Sequence, residues 1–114
     1  TNKLTNDLQN FTLLGRQVEQ YPDLQIGGPS TAWVSAALDE IEFQIGSKPP
    51  STPALCFLAE EEEIIDSLAV RTFCNSWDNC DLIYIPKAKH DLLMEQNSIL
   101  ARLLSKLDEF IKNN

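Results

Sequence analysis

Residues 54–59 read Ala-Leu-Cys-Phe-Leu-Ala, an unbroken apolar run with no polar alternation. A short run of this kind fits a strand covered on both faces, as in a parallel sheet. It follows residues 46–53 (GSKPPSTP), whose three prolines mark a linker that no helix can cross. Residues 81–86 (DLIYIP) form a second strand candidate, closed by Pro86 because proline cannot donate to a ladder. Between the two strands, Ile64 to Ser76 has helical periodicity, with Ile65, Leu68, Ala69 and Phe73 on its expected inner face. After them, Ile99, Leu100, Leu103, Leu104, Leu107, Phe110 and Ile111 follow a helical i, i+3, i+4 pattern. Lys112 stands near its C-terminus, where a cation suits the helix dipole. A strand-helix-strand unit of this length implies two parallel strands joined by a right-handed crossover.

The first part of the chain has no strand candidate. Leu4, Leu8, Phe11, Leu14 and Val18 make an apolar stripe, which predicts a helix from Leu4 to Gln20 that ends at Tyr21-Pro22. Gly27-Gly28-Pro29 reads as a turn, after which Ser30 or Thr31 can cap a helix over about Ala32 to Gln44. Trp33, Ala37, Leu38 and Ile41 lie on one side of that helix. The chain therefore divides into a helical segment (1–45), a linker (46–53) and a strand-helix-strand-helix unit (54–114), an α/β organisation.

A length of 114 residues suits one domain, and 43% apolar residues argue against disorder. A net charge of −8 argues against a nucleic-acid partner and supplies no polybasic signal for anionic lipid. No apolar run approaches the roughly 20 residues that span a bilayer. The opening TNKLTNDLQN lacks the blocks of a signal peptide and begins on Thr1, so the chain is expected to be part of a longer parent. Three cysteines, Cys56, Cys74 and Cys80, form no CxxC pair, so neither a disulfide framework nor a metal site is expected. A reducing cytoplasm is the simplest compartment, and no cofactor is implied.

Chemistry converges on the ends of the two strands. The one histidine, His90, lies four residues beyond Pro86, and Glu60 to Glu63 follow the first strand. Parallel α/β proteins place ligands and catalysts in such loops. Two adjacent strands would bring an acid and His90 to one sheet edge, the orienting half of a nucleophilic triad. Taken singly, a loop histidine is by default a surface residue, and a glutamate run is by default a solvated helix-starting cluster.

The stretch PALCFLAEEEEIIDSLAVRTFC, followed by IYIPKAKHDLLME, resembles the last two strand-loop units of bacterial lysophospholipases and monoacylglycerol-lipase-like serine hydrolases. QIGGPSTAWVSAAL likewise resembles the Gly-Gly-Pro-x-x-x-Trp segment of their cap region. The resemblance implies the C-terminal part of an α/β-hydrolase preceded by a helical cap segment. It implies that His90 is the general base and Glu62 the triad acid, with Glu61 or Glu63 as acid if the register slips by one. Asp66 matches a later acid and reads equally as a helix cap. Lys87 stands where relatives often have glycine, and the link SWDNCD is longer in many relatives. The substrate implied is a lysophospholipid or monoacylglycerol ester, with Trp33, Phe11 and Leu14 as candidates for the apolar lip. Peripheral contact with the inner membrane would accompany such a substrate. No Gly-x-Ser-x-Gly nucleophile elbow occurs in the chain, so hydrolysis by this chain alone is not expected. Two alternatives remain: a non-catalytic module that dimerises through an open sheet edge, and a related hydrolase such as a thioesterase or dehalogenase.

Overall fold

A computed structural model describes residues 2–114. Among them are four α-helices and a two-stranded parallel sheet, an α/β arrangement. Strand β1 spans Ala54–Ala59 and β2 spans Cys80–Ile85, in a register from Ala54 opposite Cys80 to Ala59 opposite Ile85. The crossover between them carries helix α3, Ser67–Asn75. Helices α1 (Leu8–Gln20) and α2 (Thr31–Gly46) precede the sheet, and α4 (Asn97–Asn113) closes the chain.

Parallel strands cannot be joined by a tight hairpin, and α3 is the connection that returns the chain to the start of β2. The Ala54 amide donates to the Asn79 carbonyl at 2.8 Å and begins the ladder. The linker is fastened at the same end: Trp77 Nε1 donates to the Thr52 carbonyl at 3.0 Å, and Asn79 Nδ2 to that of Ser51 at 2.7 Å. Phe73 meets Trp77 edge-to-face, with ring centroids 6.2 Å apart.

The core is small and sits at the C-terminal end of the strands. Ala59, Ile85 and Ala88 are buried together, with Phe57, Ile83, Leu92 and Ile99 packed against them. Full burial of a side chain such as Ile85 contributes about 1.5–3 kcal/mol, so the core anchors the point from which the loops after β1 and β2 depart. Cys74 is buried, and burial followed by the neighbouring thiols pushes Cys74 and Cys80 upward, Cys80 to about 11. Neutral thiols of this kind are poor nucleophiles and poor metal ligands.

The structure corrects several boundaries. α1 starts at Leu8, because the Asp7 carboxylate caps it by accepting from the Gln9 and Asn10 amides, both at 2.9 Å. Leu4 thus lies outside the helix, in a strap formed by residues 2–7. There Asn2 Oδ1 accepts from the Leu4 and Thr5 amides, offering the backbone a turn instead of a helix. α2 begins at Thr31, with Ser30 Oγ accepting from the Trp33 amide, and runs on to Gly46. Gly27, at φ +70°, makes the turn before it. α3 begins at Ser67, three residues later than its periodicity predicts. Asp66 caps it, and Glu62 holds the Ile64 and Ile65 amides in a separate turn. Ile65 and Leu68, expected inside, are exposed, since a two-stranded sheet offers little surface to cover them. Leu104 and Ile111 of α4 are exposed as well, while Leu103 is buried.

Candidate functional site: an acid-histidine pair at the sheet edge

Each of the four glutamates after β1 has its own job. The Glu60 amide continues the ladder to the Ile85 carbonyl at 3.0 Å, and its carboxylate accepts from the Lys87 amide at 2.9 Å. The Glu61 amide donates to the Ala88 carbonyl at 2.9 Å, and its Oε2 accepts from Asn6 Nδ2 at 3.0 Å. Glu63 points outward to Lys3, 3.6 Å away. Glu62 alone turns to the histidine: its Oε2 lies 2.8 Å from His90 Nδ1. This pairing follows from the register, since β1 and β2 end side by side and their following loops share one edge.

The Glu62 side chain is 3% exposed, whereas that of His90 is 34% exposed. Burial raises the Glu62 carboxyl, but hydrogen bonds from the Ile64 amide, His90 and the Ile65 amide outweigh it and hold the group below its ordinary value. Glu62 is therefore ionised at neutral pH and can only accept. Its Oε1 accepts from Ile64 at 2.6 Å and Ile65 at 3.2 Å, which fixes the carboxylate plane. Nδ1 of a neutral His90 must then carry the proton, leaving Nε2 as a bare acceptor. Among the described residues Nε2 has no hydrogen-bond partner. An imidazole held at one nitrogen and free at the other can accept a proton at the free one.

The histidine loop is shaped by Lys87, a residue with φ +57°. The left-handed region favours glycine, which gives a physical reason why glycine suits this position. Lys87 tolerates it because both of its backbone groups are held, the amide by Glu60 and the carbonyl by Asn6 Nδ2 at 3.2 Å. Asp66 caps α3 and does not approach the histidine through any hydrogen bond; its Oδ1 accepts from Leu68 at 2.8 Å and Ala69 at 3.3 Å. Trp33 is 63% exposed and Phe11 also lies on the surface, while Leu14 is half-buried.

Sequence reasoning missed the strap and its anchor. Asn6 reaches the loops after both strands, and Glu95 is 1% exposed with Oε1 accepting from the Asn6 and Lys89 amides, each at 2.9 Å. The cluster Asn2, Thr5, Asn6 and Asp7 was the available signal, because such residues favour turns and caps.

The chain is similar to proteins named lysophospholipase L2. The chain is 26% identical over 111 residues to a probable lysophospholipase L2 of Haemophilus influenzae, covering 96% of this chain and 36% of that protein. It is 25% identical over 121 residues to lysophospholipase L2 of Escherichia coli K12, covering 99% of this chain and 36% of that protein. It spans about a third of the length of these relatives (36% of each). No family profile and no solved structure matches it.

Proposed function

We propose that this chain is the C-terminal part of a serine α/β-hydrolase that cleaves lysophospholipid or monoacylglycerol esters, and that it supplies the acid and base of a Ser-His-acid triad. The observation that carries the reading is the 2.8 Å contact between Glu62 and His90 Nδ1 at the ends of adjacent parallel strands. The hydrolase names of the relatives support the class of reaction.

The parent's serine, which lies outside this sequence, attacks the ester carbonyl while His90 Nε2 takes its proton. The imidazolium that forms is stabilised by Glu62, which stays ionised throughout. His90 then gives the proton to the departing alcohol, leaving an acyl-serine. A water attacks next, its proton passing to Nε2, and the fatty acid is released as serine recovers its proton. Helices α1 and α2 would lie over the acyl chain. Lacking the nucleophile, the chain alone does not hydrolyse esters.

The test is hydrolysis of a lysophospholipid and a monoacylglycerol by the full-length parent. His90→Ala is expected to lower kcat by about 10⁶-fold; unchanged activity overturns the assignment. A thioester substrate hydrolysed faster than either oxygen ester would move the reading to the thioesterase class.

A second reading, a non-catalytic interaction module, is favoured by α2, where Trp33, Val34, Leu38, Ile41, Phe43 and Ile45 are all exposed. Surfaces of that kind mark association sites. A stable dimer of the isolated chain, together with an inactive parent, would favour it.

A further inference from the structure

We propose that Glu95 is a positioning residue for His90, fastening the strap before α1 to the histidine loop through one buried carboxylate. The proposal rests on the reading of His90 as the base. His90 lies in a stretch without strand or helix, between the end of β2 and the 3-10 turn Leu92–Met94. Its backbone is nevertheless held on both sides. The Lys89 amide, just before it, donates to Glu95 Oε1 at 2.9 Å. The Asp91 amide, just after it, donates to the Leu4 carbonyl at 2.8 Å.

The strap that supplies Leu4 is itself pinned by Glu95. The Asn6 amide donates to the same Oε1 at 2.9 Å, and Thr5, fully buried, donates through Oγ1 to the Met94 carbonyl at 2.9 Å. Lys89 Nζ closes the clamp on the Asn2 carbonyl at 2.9 Å. One oxygen thus joins two backbone amides from segments at opposite ends of the sequence. Removing it would leave both part-buried donors without that acceptor, the costly way to lose a hydrogen bond. The strap leads directly into α1, so the candidate cap and the histidine share a fastening.

Glu95 acts through its Oε1 acceptor, which both amides share. Its Oε2 is buried and has no protein partner among the described residues. A glutamine keeps the Oε1 acceptor and the side-chain shape, its amide nitrogen taking the place of Oε2, so Glu95→Gln is the conservative variant. Glu95→Leu keeps the bulk and removes the acceptor.

The chain has a single histidine, so imidazole ¹⁵N resonances of the labelled chain report His90 alone. At a pH where the ring is neutral, the wild type is expected to carry its proton on Nδ1. Glu95→Gln should retain that state. Glu95→Leu, with helical circular dichroism preserved, should raise the Nε2–H to Nδ1–H ratio by about five- to tenfold. A folded Glu95→Leu chain with the wild-type ratio overturns the proposal, as does a Glu95→Gln chain that behaves like the leucine variant. If Glu95→Leu does not fold, amide exchange in the wild type decides. Slow exchange at both Asn6 and Lys89, surviving in Glu95→Gln, supports the clamp, and exchange at free-chain rates overturns it. A wild-type ring protonated on Nε2 would instead sink the acid-histidine reading, so the two failures are distinct.

Discussion

The edge carrying Glu62 and His90 and the pair of helices that precede the sheet obey opposite rules. At the edge nearly every polar group is matched: four successive glutamates have four separate partners, and the histidine loop is tied to the glutamates after β1, to the strap and to Glu95. In α1 and α2 no residue is buried, and large apolar side chains face outward. The contrast separates precision from area. A catalytic pair needs its atoms fixed to within a fraction of an ångström, which local hydrogen bonds supply. An apolar face needs only a partner of sufficient extent, whether substrate or protein.

The largest expected effect lies at the edge, where Glu62→Ala in the parent should lower kcat by about 10³- to 10⁴-fold. KM should change little, because the lost interaction matters most when the imidazolium forms; a purely KM effect would argue against an orienting role. Next comes the core beneath the loops. Ile85→Ala should destabilise the chain by about 2–5 kcal/mol in urea unfolding. By contrast, Leu38→Ser on exposed α2 should stay within about 0.5 kcal/mol of wild type. Similar losses at both sites would mean that α2 is packed in solution.

Smaller effects follow from backbone and charge. Lys87→Gly should stabilise by about 0.5–1 kcal/mol, relief of the left-handed φ exceeding the entropy cost of glycine. The Glu62 carboxyl is held below its ordinary value, so the unfolded chain binds that proton more tightly than the folded one. The stability it contributes is complete above the ordinary carboxylate range and is lost as pH falls through the lowered folded value. The urea midpoint of the wild type should therefore fall more steeply between about pH 6 and pH 3 than that of Glu62→Gln. Parallel curves would mean that the carboxylate gains nothing on folding.

Much of this edge was legible in the residues. The run at 54–59 coincides with β1, and Pro86 stops β2 at Ile85, because apolar continuity and a missing amide are local signals. Topology then brings the loops after β1 and β2 together. Which glutamate meets His90 was harder, since neighbouring residues differ only in the direction of their side chains, and those are set by the turn at Glu61 to Ile65. Glu95 was invisible for another reason. Its partners are backbone amides, one of them 89 residues away, and no spacing pattern encodes such a contact. The exposure of Ile65 and Leu68 was equally hidden, because periodicity shows which face is apolar but not whether enough sheet exists to cover it.

The most direct measurement is the protonation site of His90 in the ¹⁵N-labelled chain, wild type against Glu62→Ala, at a pH where the imidazole is neutral. The proton is expected on Nδ1 in the wild type, with a shift toward Nε2 when the carboxylate is removed. A wild-type ring already protonated on Nε2, or one that does not respond to the loss of Glu62, would contradict the acid-histidine reading.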